Sequence, residues 1–153
     1  MGQSVIVAIP IEWTLTSIAR CLAAEEVLKS VSIRLFDDQL EILMSNEIDA
    51  RVIIEEVSDS DPDADYDIKD ELIADPLVSD QFRREIADLR ILFARFNSID
   101  LVRTVLHVLA RNIVHDDGIG WIDTEHDLVI SIRDFLARID ENPRWDWRTR
   151  TSA

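Results

Sequence analysis

Between Glu47 and Asp75, twelve carboxylates stand against only Arg51 and Lys69. No apolar core can take in that much unpaired like charge. The densest part is EEVSDSDPDADYDIKDELIAD, from Glu55 to Asp75, where Asp59, Asp61, Asp63, Asp65 and Asp67 recur at every second position with Pro62 and Tyr66 among them. Carboxylates at this spacing repel one another and oppose compaction, so a long solvated loop is expected at about 58–75. The core must then be built from the apolar pattern on either side, one domain over 1–153 divided into halves. The segment holds a net −10 of the chain's −15.

On the amino-terminal side, Val5 to Ile11 suits a short strand, confined to an edge by Pro10. Ile18, Cys21, Leu22 and Leu28 share one face of a helix from about Thr14 to Lys29. Period-two alternation follows. Val31, Ile33 and Leu35 face one way, with Ser32, Arg34 and Phe36 facing the other. Leu40, Ile42 and Met44, and then Ile48, Ala50, Val52 and Ile54, repeat the pattern across turns at Asp37-Asp38 and Ser45-Asn46. Three such runs joined by short polar turns predict an antiparallel meander whose outer face is charged.

On the carboxy-terminal side, Asp75-Pro76 or Ser79 can start a helix running to about Asp88, and Arg90 to Phe96 suits a central strand or a continuation of that helix. Leu101, Val102, Val105, Leu106, Leu109 and Ile113 give the clearest helical pattern, capped by Asn97 or Ser98. After a turn at His115 to Gly118, a hairpin is expected around Thr124 to Asp127. A last helix starts at Ser131 and ends before Pro143, and a short Trp/Arg tail spans 144–153, with Trp145 and Trp147 set to pack back over the core or, alternatively, to form an exposed aromatic docking site. The expected architecture is α+β: one mainly antiparallel sheet of about five to six strands with three to four helices packed on it.

An excess of 31 acidic over 16 basic side chains argues against nucleic-acid binding, which needs cations to displace phosphate counterions. It also argues against an anionic membrane surface. It favours a basic protein partner, because complementary fields speed association by roughly 10 to 10³-fold. Cys21 is the single cysteine and suits a small buried thiol. Val5 to Ile11 lacks a preceding basic residue, so it does not read as a secretory signal, and Ile6 stands where a myristoylation motif needs Ser or Thr. No run approaches the roughly 18 apolar residues of a membrane span. A cytoplasmic protein is expected.

Candidate chemistry is sparse. Numbered from Asp59 as a calcium loop, the ladder offers Asp59, Asp61, Asp63 and the Asp65 carbonyl. However, Ala64 stands where a glycine is needed and Asp70 where a bidentate Glu is needed. His115-Asp116 is the dipeptide of HD-type phosphohydrolases, and with Asp123 and His126 it frames an alternative reading as a metal-dependent hydrolase. Glu12, Glu125 and Asp123 are acid/base candidates among too many carboxylates for a pair to stand out. There is no GxSxG, glycine-rich phosphate loop or Cys/His dyad. A binding protein is expected rather than an enzyme, with no cofactor and no metal.

The carboxy-terminal third, IDLVRTVLHVLARN and GIGWIDTEHDLVISIRDFLARIDENPRWDW, together with the size and acidity, resembles the small immunity proteins that bacteria pair with secreted polymorphic or contact-dependent toxins. The resemblance is one of architecture and composition, and it carries no residue roles across. It implies an inhibitor that covers the active site of a cognate toxin, here a basic one. The carboxylates of Asp59, Asp61, Asp63, Asp65, Asp67, Asp70 and Glu71 would stand in for phosphates, with Tyr66 as an anchor. A second alternative is an acidic adaptor or regulatory module that engages some other basic protein.

Overall fold

In the computed structural model, which describes residues 3–44, 50–56, 68–76, 78–126 and 128–148, the apolar pattern assembles one antiparallel sheet. Its strands are β1 (Gln3–Pro10), β2 (Val31–Leu35), β3 (Gln39–Met44), β4 (Arg51–Glu56), β5 (Leu89–Phe96), β6 (Trp121–Asp123) and β7 (Val129–Ser131). They lie in the order β2-β3-β4-β5-β1-β6-β7. The α+β class holds, with seven strands among the described residues. The expected meander is β2-β3-β4.

β1 departs from expectation. It lies in the centre of the sheet, paired with β5 from Gln3↔Phe96 to Pro10↔Leu89 and with β6 on its other side. Pro10 does not force it to an edge because it is the strand's last residue, where a missing N–H removes no interior ladder bond. Val5, Val7 and Ile9 point into the larger core, and Ile6 and Ala8 point into a second cluster on the opposite face. A strand buried on both faces reads as a continuous apolar run, which explains the sequence VIVAIP.

The larger core lies under α1 (Leu15–Ala23), α4 (Ile99–His115) and α5 (Ile132–Glu141). All six residues of the expected α4 stripe are buried, and Ser98 accepts the first-turn N–H of Leu101. Ser131 caps α5 in the same way through Asp134. Thr14 caps α1, which ends at Ala23 and not near Lys29; a separate 3-10 turn at Glu26–Leu28 brings Leu28 inward. Each Leu, Ile or Phe fully buried here contributes about 1.5–3 kcal/mol.

The opposite face of the central strands is covered by α2 (Ile68–Ala74), α3 (Asp80–Glu85) and a 3-10 turn at Ile86–Asp88. Leu72, Phe82 and Ile86 pack on Ile6, Ala8, Ile91 and Trp121. α2 corrects the expected loop at 58–75, whose last part is helical. The reasons are apolar anchorage through Leu72 and the placement of Asp70 and Glu71 in its first turn, where carboxylates suit the positive end of the helix dipole. The tryptophans of the tail do turn back: Trp147 is buried in the larger core and Trp145 packs against it.

Candidate functional site

Of the residues expected to meet a partner, Asp59, Asp61, Asp63, Asp65, Tyr66 and Asp67 lie outside the described residues. Asp70 and Glu71 are exposed on α2. The two ends of the intervening segment converge on one end of the sheet. At its start, Glu56 is the last residue of β4 and forms an ion pair with Arg90 on β5, a diagonal cross-strand contact. At its far end, Lys69 Nζ donates to the Ala87 carbonyl at 3.1 Å. Ala87 and Arg90 bracket the start of β5, so both fastenings lie where β5 begins and β1 ends.

That end of the sheet carries an apolar patch. Ile11, just past β1, is 64% exposed, and Leu35 and Phe36 at the β2–β3 turn are 45% and 46% exposed. A cleft of about 380 Å³ opens there between Thr14 and Thr16 at the start of α1, the Leu35–Asp37 turn, Glu56 and Arg90. Arg90 Nη2 donates to the Ile11 carbonyl at 2.8 Å, tying the turn after β1 to β5. Its Nε is buried without a hydrogen-bond partner among the described residues. Glu12, Asp37 and Asp38 are exposed around the patch. Exposed apolar side chains thus stand on either side of the Glu56–Arg90 ion pair, a surface of mixed apolar and charged groups.

Pattern reading missed Ile11 and Arg90 as parts of a surface, because both belong to runs that look like core. Phe36 did leave a signal. In the alternation of β2 it falls with Ser32 and Arg34 on the polar register, where an aromatic ring signals apolar area left at the surface.

The residues of the hydrolase alternative are not gathered. His115 ends α4, and the chain then passes Pro10: a Cβ on Gly118 would come within 3.2 Å of the Pro10 ring. Asp123 ends β6 and accepts the Glu125 N–H at 2.8 Å, while Glu125 accepts from the Ser4 hydroxyl. Ser4 and Pro10 stand six residues apart on β1, about 20 Å at roughly 3.3 Å per residue. Asp123 pairs with Ile6, four residues or roughly 13 Å from Pro10, so His115 and Asp116 near the Pro10 end are not gathered with Asp123 and His126. Glu12, beyond Pro10, is equally remote from Asp123 and Glu125. Burial raises the Asp123 pKa, a desolvation effect that the hydrogen bond from Glu125 N–H only partly offsets. Among the described residues, no three His, Cys, Asp or Glu side chains form a group able to hold a metal ion.

A second cleft, about 450 Å³, runs between β7 and α5, with Trp121, Val129, Ser131, Asp134 and Arg138 in its walls. Among the described residues, no helix is long and apolar enough to cross a membrane. No family model, no curated protein and no solved structure matches this chain.

Proposed function

We propose that this chain is an immunity-type inhibitor that binds a basic toxin domain and covers its active site with the acidic end of the sheet. The observation that carries the reading is the convergence of Glu56 and Lys69, the two fastenings of the acidic segment, on the sheet end that exposes Ile11 and Phe36. Carboxylates would draw in a cationic partner, and the apolar patch would supply the desolvated contact that holds it. Occlusion asks nothing of the inhibitor's own side chains beyond shape and charge, which fits a site built of one ion pair, a further carboxylate at Asp37, two threonines and apolar residues.

The test begins with affinity capture by the full chain from its native cell at low salt, followed by elution along a salt gradient. The captured protein's catalytic activity is then assayed with and without the chain. Full inhibition is expected. The quadruple variant Asp59→Asn, Asp61→Asn, Asp63→Asn, Asp65→Asn should slow association about tenfold or more and flatten its salt dependence. The double variant Ile11→Ala, Phe36→Ala should mainly speed dissociation. Inhibition left unchanged by both sets would refute the reading. Binding without loss of the partner's activity would move the protein to the adaptor class.

A further inference from the structure

β2 forms one end of the sheet, and among the described residues no strand lies beyond it. The Phe36 N–H donates to the Gln39 carbonyl at 2.9 Å, which marks Phe36 and Gln39 as a hydrogen-bonded pair. In an antiparallel ladder, hydrogen-bonded and non-hydrogen-bonded pairs alternate. The N–H and C=O groups of Val31, Ile33 and Leu35 therefore point away from β3, toward the open edge. The opposite edge, β7, is three residues long and runs directly into α5. β2 has five residues, an unbroken register with β3, and a single charged side chain, Arg34. It has none of the lysines, prolines or bulges that usually blunt such an edge. Large apolar side chains stand exposed beside it: Val27 at 63%, in the 3-10 turn leading into β2, and Leu35 within it.

We propose that two copies of this chain join through β2, edge to edge and antiparallel, about a two-fold axis at Ile33. In that register Val31 lies opposite Leu35 of the second copy, so apolar meets apolar on the core face, and Arg34 lies opposite the neutral Ser32. The three residues whose backbone groups point outward are the ones this register pairs, each pair exchanging both of its bonds. A register centred on Arg34 would set two guanidinium groups face to face and would use backbone groups already bonded to β3. Antiparallel pairing also sends the two acidic sheet ends to opposite poles of the dimer, which keeps the largest like charges apart. An extended basic segment of another protein is the competing occupant. The chain's net charge would attract it at long range, but the one charge on β2 itself is a cation and repels it. Two copies repel through their like net charge, but near physiological salt that term is screened beyond roughly 8 Å, and locally Arg34 meets the neutral Ser32.

Sedimentation analysis of the full chain near physiological salt, over roughly two decades of concentration, tests this. A monomer–dimer equilibrium is expected. Ile33→Pro removes an outward N–H that β3 does not use, and should weaken the dimer about tenfold or more. Ser32→Arg sets a cation opposite Arg34 twice per dimer and should weaken it several-fold, roughly up to tenfold. Ser32→Glu sets an anion there and should strengthen the dimer instead. Ser32 is exposed on β2, so this pair of variants reads out pairing even if Ile33→Pro perturbs folding. A chain that stays monomeric throughout, a dimer that tolerates Ile33→Pro with β2 intact by circular dichroism, or Ser32→Arg and Ser32→Glu variants with the same dimer constant would each overturn the proposal.

Discussion

The Arg103 guanidinium, inside the largely buried α4, donates through Nη1 to the main-chain carbonyl of Trp145 at 3.0 Å while pairing with Asp100. A single side chain thus fastens the carboxy-terminal tail to the central helix. Beyond it Trp147 enters the core, its ring 5.6 Å from that of Phe135 and 6.3 Å from that of Phe96.

Trp147→Ala should therefore cost about 3–5 kcal/mol, the range for a large aromatic removed from a core. The indole N–H of Trp147 has no hydrogen-bond partner among the described residues, so Trp147→Phe should cost far less, because no bond is lost with the nitrogen. Urea unfolding followed by circular dichroism measures both. Equal losses for the two variants would mean that the tail is not packed as described.

Cys21 should be a poor nucleophile in the folded protein. Its pKa is pushed up to about 11, chiefly by burial and then by the nearby Glu25 carboxylate. At pH 8 only about one molecule in a thousand then carries the thiolate, which is the reactive form. Labelling by a disulfide reagent should be slow in buffer and fast in strong denaturant. Rapid labelling of the native chain at pH 8 would contradict this environment.

Asp123 should make the protein less stable as pH rises. Burial holds its folded pKa above the unfolded value, so the folded state keeps a proton that the unfolded state has released. Stability is unaffected below the unfolded pKa. It falls as pH rises through the carboxylate range, and the deficit is complete above the folded pKa. Asp123→Asn retains an acceptor for the Glu125 N–H and removes the charge. Its urea midpoint should match the wild type near pH 3 and exceed it at pH 7. A gain that is the same at both pH values would rule out desolvation as the cause.

Gly120 is required for space. A Cβ there would lie 2.2 Å from Ile132 Cδ1 and 2.8 Å from the Ala8 carbonyl oxygen in the centre of the sheet. Gly120→Ala should cost roughly 1–3 kcal/mol through overpacking. Adding Ile132→Val removes the nearer atom and should restore part of the loss, but not all of it, because the Ala8 carbonyl cannot move without disturbing β1. Complete rescue in thermal unfolding would place the whole clash on the side chain.

Local periodicity carried most of the elements. The alternation in Val31–Ile54 and the stripe in Leu101–Ile113 emerged as β2-β3-β4 and α4, and Ser98 and Ser131 cap the helices they precede. These readings succeed because side-chain period and capping depend on neighbours a few residues away. The central position of β1 was not legible in the same way. Strand order depends on which apolar faces are buried together, and Val5 to Pro10 is compatible with an edge until helices are known to cover both sides. α2 was read as loop for a related reason: the carboxylates of Asp70 and Glu71 dominate the local composition, and the cluster that buries Leu72 with Ile6, Ala8 and Trp121 joins distant parts of the chain.

The charge of the candidate site was plain from the residues themselves, since charge is additive along a chain and twelve carboxylates in one stretch need no structure to be noticed. Its setting was not. Only tertiary pairing brings Glu56 to Arg90 and Lys69 to Ala87, and so ties both ends of the acidic segment to the sheet end where Ile11 and Phe36 are exposed. The same long-range geometry separates His115 from His126. A residue's chemistry is local, whereas its neighbours are set by strand order and register across the whole sheet.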